Sequence, residues 1–244
     1  MTLETAAAGP LYRRALLKLS GEALLGSQSY GIDPEAATRF AREIQGASLG
    51  GTQMCVVVGG GNIFRGMAGV ASGMDRVKAD YIGMLATVMN AVALGNALDR
   101  LGAAWAIHSA IPVEAVAELF NHNRALRDLA AGRIVIFAGG TGNPFFTTDT
   151  TAALRAAEMG CDVILKATQV DGIYSADPKR DPEAVRYNRL TYDEALARNL
   201  KVMDGAAFAL ARDAQIPVVV FSIEEQGSIE QVLAGRMAST LVSA

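Results

Sequence analysis

Short runs of apolar residues alternate with amphipathic stretches from one end of the chain to the other. The runs have the length and continuity of buried strands, and the longer stretches repeat apolar positions with helical spacing. We predict strands at residues 15–19, 53–58, 103–107, 133–138, 163–166 and 217–221, with a final edge strand at 240–242. Buried strands separated by helices are typical of a mostly parallel sheet covered on both faces.

Helical periodicity is strongest at residues 76–101, where Met84, Leu85, Val88, Met89 and Val92 fall on one predicted face. Further helices are predicted at residues 34–49, 112–131 (as one or two helices), 150–159, 192–197, 205–214 and 228–234. The polar segment 171–189 is predicted to be a loop. The fold class that follows is α/β, a three-layer αβα sandwich around a mostly parallel central sheet.

A loop rich in glycine and hydroxyl groups, residues 139–149, follows one predicted strand and precedes a predicted helix. Such a loop leaves backbone N–H groups free at a helix N-terminus, where anions and phosphate in particular bind. Asp149 is placed to cap this helix. The loop by itself is equally compatible with a tight turn and an N-cap, so the other glycine-rich segments decide between the two.

Two more glycine-rich segments, residues 20–22 and 59–62, also follow predicted strands. Ligands of parallel sheets bind beyond the carboxyl ends of the strands, where all three loops lie. Lys18 lies within the first apolar strand, and its ammonium group is costly there unless it meets an anion or reaches solvent. Arg65 follows the second loop, and its planar guanidinium suits a phosphate. Together these features favour phosphate binding.

Two familiar nucleotide motifs fail on specific residues. Phe64 stands at the third glycine position of a dinucleotide fingerprint. Residues 27–28 and 67–68 stand where a Walker A motif requires lysine and then serine or threonine. The only histidines, His108 and His122, lie apart from the glycine-rich turns, so no serine–histidine–acid set is predicted.

The composition limits the partners. The chain has 244 residues and a net charge of −3, so no basic field attracts nucleic acid or an anionic membrane. No uninterrupted apolar run reaches the roughly 20 residues of a membrane-spanning helix. The two isolated cysteines fit reduced core thiols of a cytoplasmic protein. Residues 1–12 are predicted to form a disordered tail, and 51% hydrophobic residues fit a large core plus an oligomer interface.

In chain order, residues 18–22, 59–66, 141–149, 166–178 and 201–204 resemble the bacterial uridylate kinases (UMP kinases) of the amino acid kinase superfamily. The resemblance covers nearly all of residues 13–242, and residues 141–149 are its most specific part. It implies one amino acid kinase-like domain over residues 13–244. Within that domain it implies a UMP-binding lobe near residues 13–149 and an ATP-binding lobe near residues 150–244.

The activity that the resemblance implies is transfer of the γ-phosphoryl group of ATP to UMP, giving UDP, in pyrimidine nucleotide biosynthesis. Mg²⁺ is implied as a cofactor that arrives with ATP, bound mainly by phosphate and water, and no metal-ligating residues are assigned. The resemblance also implies activation by GTP, inhibition by UTP, and a homohexamer in the cytoplasm. Neither nucleic acid nor a membrane is expected as a partner.

The same resemblance assigns residues to sites. The ATP site comprises Lys18, Leu19, Ser20, Gly21, Gly61, Arg65, Thr168, Tyr174 and Asp177. The UMP site comprises Gly60, Asp80, Thr141, Gly142, Asn143, Pro144, Phe145, Phe146, Thr147 and Thr148, with Asp80 on the ribose hydroxyls. The GTP effector region comprises Gly26, Ser27, Gln28, Ser29, Tyr30 and Gly31. Lys18, Arg65, Asp149 and Asp204 form the implied catalytic set.

Two residues depart from patterns seen in related kinases. Gln169 stands where relatives often carry lysine. Asp204 stands where acetylglutamate kinases carry a second lysine, as it does in uridylate kinases, and could orient Lys18 or another cation. For Tyr174 and Asp177, a simple turn before a proline is as compatible with the residues as a nucleoside site.

Two alternative functions remain open at the level of sequence. A carboxylate or carbamate kinase of the same superfamily is disfavoured by the loop at residues 143–146 and by Asp204. A uridine-nucleotide sensor without turnover is disfavoured because Lys18, Arg65 and Asp149 are all present.

Overall fold

The computed structural model describes residues 10–71, 73–178, 180–198, 200 and 202–244. Residues 1–9 of the tail predicted at residues 1–12 lie outside the described residues, as does Lys201 of the resembling segment 201–204. Tyr12, at the end of that predicted tail, packs against the hydrophobic core.

The described residues form eleven strands and eight helices. The strands are β1 (Arg14–Leu19), β2 (Gln53–Val58), β3 (Trp105–Ser109), β4 (Glu118–Leu119), β5 (Ile134–Ala138), β6 (Val163–Thr168), β7 (Ile173–Tyr174), β8 (Arg186–Tyr187), β9 (Arg189–Thr191), β10 (Val218–Ser222) and β11 (Ser239–Ser243). The helices are α1 (Pro34–Leu49), α2 (Gly66–Ala71), α3 (Arg76–Arg100), α4 (His122–Ala130), α5 (Thr148–Met159), α6 (Tyr192–Ala197), α7 (Gly205–Asp213) and α8 (Ser228–Leu233). A 3-10 turn spans Gly21–Leu25.

Nine of these strands form one sheet in the order β4-β3-β5-β2-β1-β6-β10-β11-β9. All neighbouring strands are parallel except the antiparallel pair β10 and β11. The predicted α/β class with a mostly parallel sheet is therefore confirmed. β1, with its buried run of leucines, lies at the centre, so the loops that follow β1, β2 and β6 meet at one edge.

Helices cover both faces of the sheet and create two hydrophobic layers. On one face, α1, α3 and α8 pack on alternate strand residues such as Leu17 and Leu19. On the other face, α4, α5, α6 and α7 pack on the intervening residues such as Leu16 and Ile164. The result is the predicted three-layer αβα sandwich. The predicted boundary between the two lobes, near residue 150, lies in the first turn of α5.

Three predicted elements differ from the structure. The helix predicted at residues 112–131 forms only at α4, where the Asn121 side chain caps the helix by accepting from the N–H of Arg124. The segment 171–189, predicted to be a loop, contains the antiparallel pair β7 and β8. The predicted last strand is not an edge, because β11 lies between β10 and β9. The two-residue strands β7 and β8 are too short to leave a local pattern, and the place of β11 in the sheet depends on its pairing with the distant β9.

Helix α3 buries apolar residues on one side and exposes them on another. Met84 and Val88 are buried, whereas Leu85 and Met89 are 48% and 54% exposed. The predicted face, which also includes the half-buried Val92, is therefore divided between a buried side and an exposed side. Among the described helices, α3 alone is long and apolar enough to cross a membrane by length and composition. It nevertheless packs against α1, α2 and β3 within this fold.

Candidate active site

Two lysines lie side by side at the carboxyl ends of the central strands. Lys18 of β1 is in register with Lys166 of β6. Because strand residues alternate between the two faces of a sheet, both side chains point to the face covered by α5. Lys18 is 8% exposed and Lys166 is 7% exposed. The prediction that Lys18 points away from Leu17 and Leu19 is confirmed by their packing on the opposite face.

Both ammonium groups contact one carboxylate, that of Asp149 in the first turn of α5. The Lys18 Nζ lies 2.8 Å from Asp149 Oδ1. The Lys166 Nζ donates to both oxygens, at 2.5 Å and 2.6 Å. Asp149 does not cap the helix as predicted, because the Thr147 side chain accepts from the N–H groups of residues 149 and 150. That cap leaves the Asp149 carboxylate free to bind the lysines.

Burial and charge shift the proton affinities of this cluster in opposite directions. Burial raises the pKa of Asp149, but the ammonium groups of Lys18 and Lys166 outweigh burial and hold this pKa below its ordinary value. Burial, with a smaller contribution from the Lys18 ammonium group, lowers the pKa of Lys166 to about 8, and Asp149 opposes this change. The cluster therefore contains two cations and a single firmly ionised anion.

The lysines open into a cavity of about 290 Å³, which gives the cluster access to a ligand. Its lining includes Lys18, Ser20, Lys166 and Thr168. Ser20 and Thr168 supply hydroxyl groups beside the two ammonium groups. Such a cavity can hold the phosphates of a nucleotide, since cations and hydroxyl donors both bind phosphate oxygens.

The glycine-rich loops pack so closely that side chains would not fit. A Cβ at Gly21 would lie 2.5 Å from the Gly59 carbonyl oxygen, and one at Gly60 would lie 2.8 Å from the Gly83 carbonyl oxygen. Gly61, in contrast, has no neighbour within 4 Å of such an atom. The backbone of the second loop is thus pressed against α3 at Gly60 and open to a ligand at Gly61.

A buried amide pair ties the second loop to α3. The Asn90 side chain donates to the Gly59 carbonyl oxygen at 2.6 Å and to Asn62 Oδ1 at 2.7 Å. Asn62 donates in return to Asn90 and to the Gly31 carbonyl oxygen. Sequence reasoning did not select Asn90, although a polar residue within an apolar helix was a usable signal.

Arg65 and Leu19, two further residues of the predicted ATP site, differ in their exposure. Arg65 is exposed and forms an ion pair with Glu22 at 2.5 Å, so its guanidinium lies near the first loop. Leu19 packs its side chain in the core. Only the Leu19 backbone is therefore available to a ligand, and its carbonyl oxygen already accepts from Gly59.

The predicted UMP loop closes onto Asp80. The N–H of Phe145 donates to Asp80 Oδ2 at 2.8 Å, and Arg76 Nε donates to both carboxylate oxygens at 3.0 Å and 2.8 Å. Phe145 has a φ of 72°, and its ring stacks under the Arg76 guanidinium. Asp80 and the loop at residues 141–148, which the resemblance assigns to UMP, are therefore in contact through Phe145. Thr141 and Asn143 hydrogen-bond to each other within the loop.

Asp204 connects α7 to the start of α5. Its carboxylate caps α7 by accepting from the N–H of Ala207, and it accepts hydrogen bonds from the hydroxyls of Thr147 and Thr150. The structure thus connects Asp204 to Thr147 and Thr150, on either side of Asp149, rather than to Lys18. In this arrangement Asp204 positions the helix that carries Asp149.

The remaining predicted ATP-site residues divide between two cavities. Thr168 lines the cavity of Lys18, whereas Tyr174 and Asp177 line a separate cavity of about 490 Å³. The Tyr174 hydroxyl donates to Asp171 Oδ1 at 2.6 Å. The two cavities are adjacent along the chain, because Gln169 lines the first and the next residue, Val170, lines the second.

The predicted effector segment, residues 26–31, follows the 3-10 turn, and Tyr30 is 66% exposed. Its backbone is held at Gly31, whose N–H donates to the carbonyl oxygen of Asn62. The segment therefore touches the second glycine-rich loop through one residue.

The side chains of this site are better suited to binding phosphates than to binding a metal ion through protein ligands alone. Within the described residues, no group of three or more His, Cys, Asp and Glu side chains lies close enough to hold a metal ion. The Asp149 carboxylate is bound by lysines, and the Asp204 carboxylate is bound by threonine hydroxyls and a backbone N–H. A divalent ion fits this site if phosphates and water supply most of its ligands.

Lys166 is the main residue that sequence reasoning missed. It was included only as the first residue of the segment 166–178. The signal was present, because Lys166 ends an apolar run, Val163 to Leu165, as Lys18 nearly ends another.

Comparison with known proteins identifies the family of the chain. The model of the amino acid kinase family matches residues 13–222. The uridylate kinase of Paramagnetospirillum magneticum is 55% identical over 232 residues, which are 95% of this chain and 97% of that protein.

Solved structures give the same result. The UMP kinase of Ureaplasma parvum has a TM-score of 0.91 at 38% identity, over 95% of this chain and 99% of that chain. The UMP kinase of Bacillus anthracis has a TM-score of 0.91 at 40% identity, over 95% of this chain and 96% of that chain. The resemblance drawn from the glycine-rich loops is confirmed, and the chain belongs to the amino acid kinase family and, within it, to the uridylate kinases.

Proposed function

We propose that this chain transfers the γ-phosphoryl group of ATP to UMP, producing UDP and ADP for pyrimidine nucleotide synthesis. The observation that carries the proposal is the buried cluster of Lys18, Lys166 and Asp149 beside a cavity that the first glycine-rich loop borders. Phosphoryl transfer requires positioning and positive charge more than a covalent nucleophile. This cluster and the loops supply both.

The two substrates would approach the cluster from opposite sides. ATP phosphates would lie against Lys18, Ser20 and the open backbone at Gly61, and UMP would lie between Asp80 and the loop at residues 141–148. Lys18 would stabilise the negative charge that develops on the transferring group. Arg65, now paired with Glu22, would turn to a phosphate, which competes well for a guanidinium.

Mg²⁺ would accompany ATP rather than occupy a protein cage, and when bound it neutralises phosphate charge. The support is the occupied state of the nearest carboxylates, Asp149 and Asp204. Residues of this chain then need only bind the phosphates and orient Asp149.

The first test is the choice of acceptor. We expect UMP-dependent ADP release with UMP as the best of the nucleoside monophosphates. Asp80→Asn should raise KM for UMP by about 10- to 100-fold, because a charge-assisted hydrogen bond contributes about 1.5–3 kcal/mol. The same variant should reduce the preference for UMP over dUMP, since the carboxylate accepts from two ribose hydroxyls.

The matched control is Asp99→Asn, at the other end of α3. Asparagine keeps the oxygen that accepts from Trp105 Nε1 and removes one charge from the same helix. This variant should have wild-type KM for UMP. ADP release with carbamate or acetylglutamate instead of UMP, or tight UMP binding with no turnover, would contradict the proposed function.

We further propose that copies of this chain associate, as a homohexamer, through the exposed apolar stripe of α3. We define the stripe as Val77, Tyr81, Ile82, Leu85 and Met89, which are all at least 36% exposed. Large apolar side chains in one contiguous stripe mark an interaction surface. Tyr and Met are also enriched in interfaces between proteins.

The stripe can be tested by light scattering after size-exclusion chromatography. We expect wild-type protein at a mass near six times 25.6 kDa, and smaller species for the double variant L85E/M89E. Two buried carboxylates without partners are costly at an interface. Leu49→Glu changes a leucine that is 81% exposed outside the stripe and should leave the mass unchanged. An unchanged mass for the double variant would show that the stripe is not the interface.

Regulation and location complete the proposal. GTP would activate through residues 26–31, and UTP would inhibit. The support for the GTP site is that Gly31 exchanges hydrogen bonds with Asn62 of the second glycine-rich loop. The chain would act in the cytoplasm, without nucleic acid or a membrane as partner, consistent with its net charge of −3.

A further inference from the structure

The cluster of Lys18, Lys166 and Asp149 is unbalanced in charge. Two ammonium groups, with side chains 10% and 9% exposed, share one carboxylate with a side chain 14% exposed. Buried charges are stable when paired and hydrogen-bonded, and an unpaired buried charge is costly. One positive charge in this cluster therefore lacks its counter-ion.

The missing counter-ion has an accessible place. Both lysines line the cavity of about 290 Å³ together with Ser20 and Thr168. The strand register places Lys166 directly beside Lys18, so an anion that meets one ammonium group from this cavity also meets the other. A group with several negative oxygens fits this pair better than a single carboxylate does.

We propose that Lys166 is a second catalytic lysine, which binds the transferring phosphoryl group jointly with Lys18 while Asp149 orients both side chains. The inference rests on the proposed transfer from ATP to UMP. In that step an oxygen of the UMP phosphate bonds to the γ-phosphorus of ATP. The bond from this phosphorus to the β,γ-bridging oxygen breaks, and its electron pair leaves with ADP. Lys166 keeps all its protons and contributes charge alone.

The charge of Lys166 in the free protein depends on pH. Burial lowers its pKa to about 8, with Lys18 of β1 acting in the same direction and Asp149 of α5 opposing it. β10 places the neutral Val220 beside Lys166. Lys166 is therefore protonated below about pH 8 and loses its proton above it. We expect kcat/KM for ATP, which reports on the free enzyme, to fall above that pH.

The test compares Lys166→Met and Lys166→Arg in steady-state kinetics from pH 6 to pH 10. Lys166→Met should lower kcat by about 10²- to 10³-fold, the usual effect of one electrostatic contact in the transition state. KM for UMP should change by less than about threefold, because the contact is absent from UMP binding alone. Lys166→Arg, which stays charged, should recover part of kcat and move the alkaline fall of kcat/KM to higher pH.

A buried cation outside the cavity serves as the matched control. Arg155 is 5% exposed and pairs with Glu158 on α5. Arg155→Met should affect thermal stability but neither the pH profile nor the ratio of kcat to KM. If Lys166→Met does not fold, the pH profile of Lys166→Arg carries the test.

The outcomes separate this inference from the proposed function. Wild-type protein without UMP-dependent ADP release would contradict the function itself. Active wild type together with a Lys166→Met variant whose kcat is within about threefold of it would overturn the role of Lys166 alone. The role of Lys166 would also be overturned if kcat/KM for ATP of Lys166→Arg fell at the same alkaline pH as that of the wild type.

Discussion

Replacing Lys18 with methionine is expected to lower kcat by about 10²- to 10³-fold and to leave KM for UMP within about threefold of wild type. Methionine keeps the apolar length of the side chain and removes its charge. The ammonium group contacts Asp149 and faces the cavity, so its main effect is on charge that develops during transfer. Interactions made only in the transition state lower kcat when they are removed.

Initial rates of ADP release at varied UMP and ATP measure this effect, with thermal unfolding as a check on folding. Arg189→Met is the matched control, because it removes an exposed cation from the strand at the far edge of the sheet. Its kcat should equal that of wild type. A Lys18→Met variant with wild-type kcat would remove Lys18 from the mechanism.

Asp149→Asn is expected to cause the largest combined loss of activity and stability. Without the carboxylate, two buried ammonium groups face each other, and breaking such a buried pair costs about 3–5 kcal/mol. The pKa of Lys166 should fall further, because Asp149 is the group that raises it. We expect kcat at pH 7 to fall by at least about 10²-fold, since neither lysine is then held in place or reliably charged.

The stability effect has a defined pH dependence. The pKa of Asp149 is held below its ordinary value of 3.8, so its carboxylate contributes stability above that pH and loses it as the pH falls through the folded-state pKa. Chemical denaturation should therefore show a large difference between wild type and Asp149→Asn at pH 7, shrinking below pH 3.8. Asp193→Asn, which removes an exposed partner of Arg212, should show no difference at either pH. A constant difference across this range would contradict the assigned ion pairs.

Local patterns were sufficient for most of the long elements. α1 and β2 have the predicted bounds, because the Pro at the start of α1 and continuous apolar residues in β2 act locally. α5 begins two residues before its prediction, because Thr147 rather than Asp149 supplies the cap. Short elements such as β4 and β9 were missed, since two or three residues carry little local pattern, and β9 pairs with β11 far away in the chain.

The residues of the candidate site also fall into two groups, those that the local sequence predicted and those that only the tertiary structure revealed. The chain itself specified three glycine-rich loops after buried strands, and a lysine that an apolar strand could tolerate only with an anion nearby. Those local requirements were enough to indicate phosphate chemistry, and the resemblance of the loop sequences to the uridylate kinases indicated the family. Lys166 satisfied the same criterion, but nothing in the local pattern indicated that its strand would neighbour β1.

Tertiary packing alone brought Lys18, Asp149 and Lys166 together from two strands and a helix. Lys18 lies more than a hundred residues before the other two, which are 17 residues apart. Parallel pairing of β1 with β6 set both lysines in one register, and the Thr147 cap turned Asp149 towards them. Hydrophobic periodicity encodes which face of a strand is buried, because burial is decided residue by residue. It does not encode which strand lies alongside, because strand order results from how the whole set of helices and strands packs.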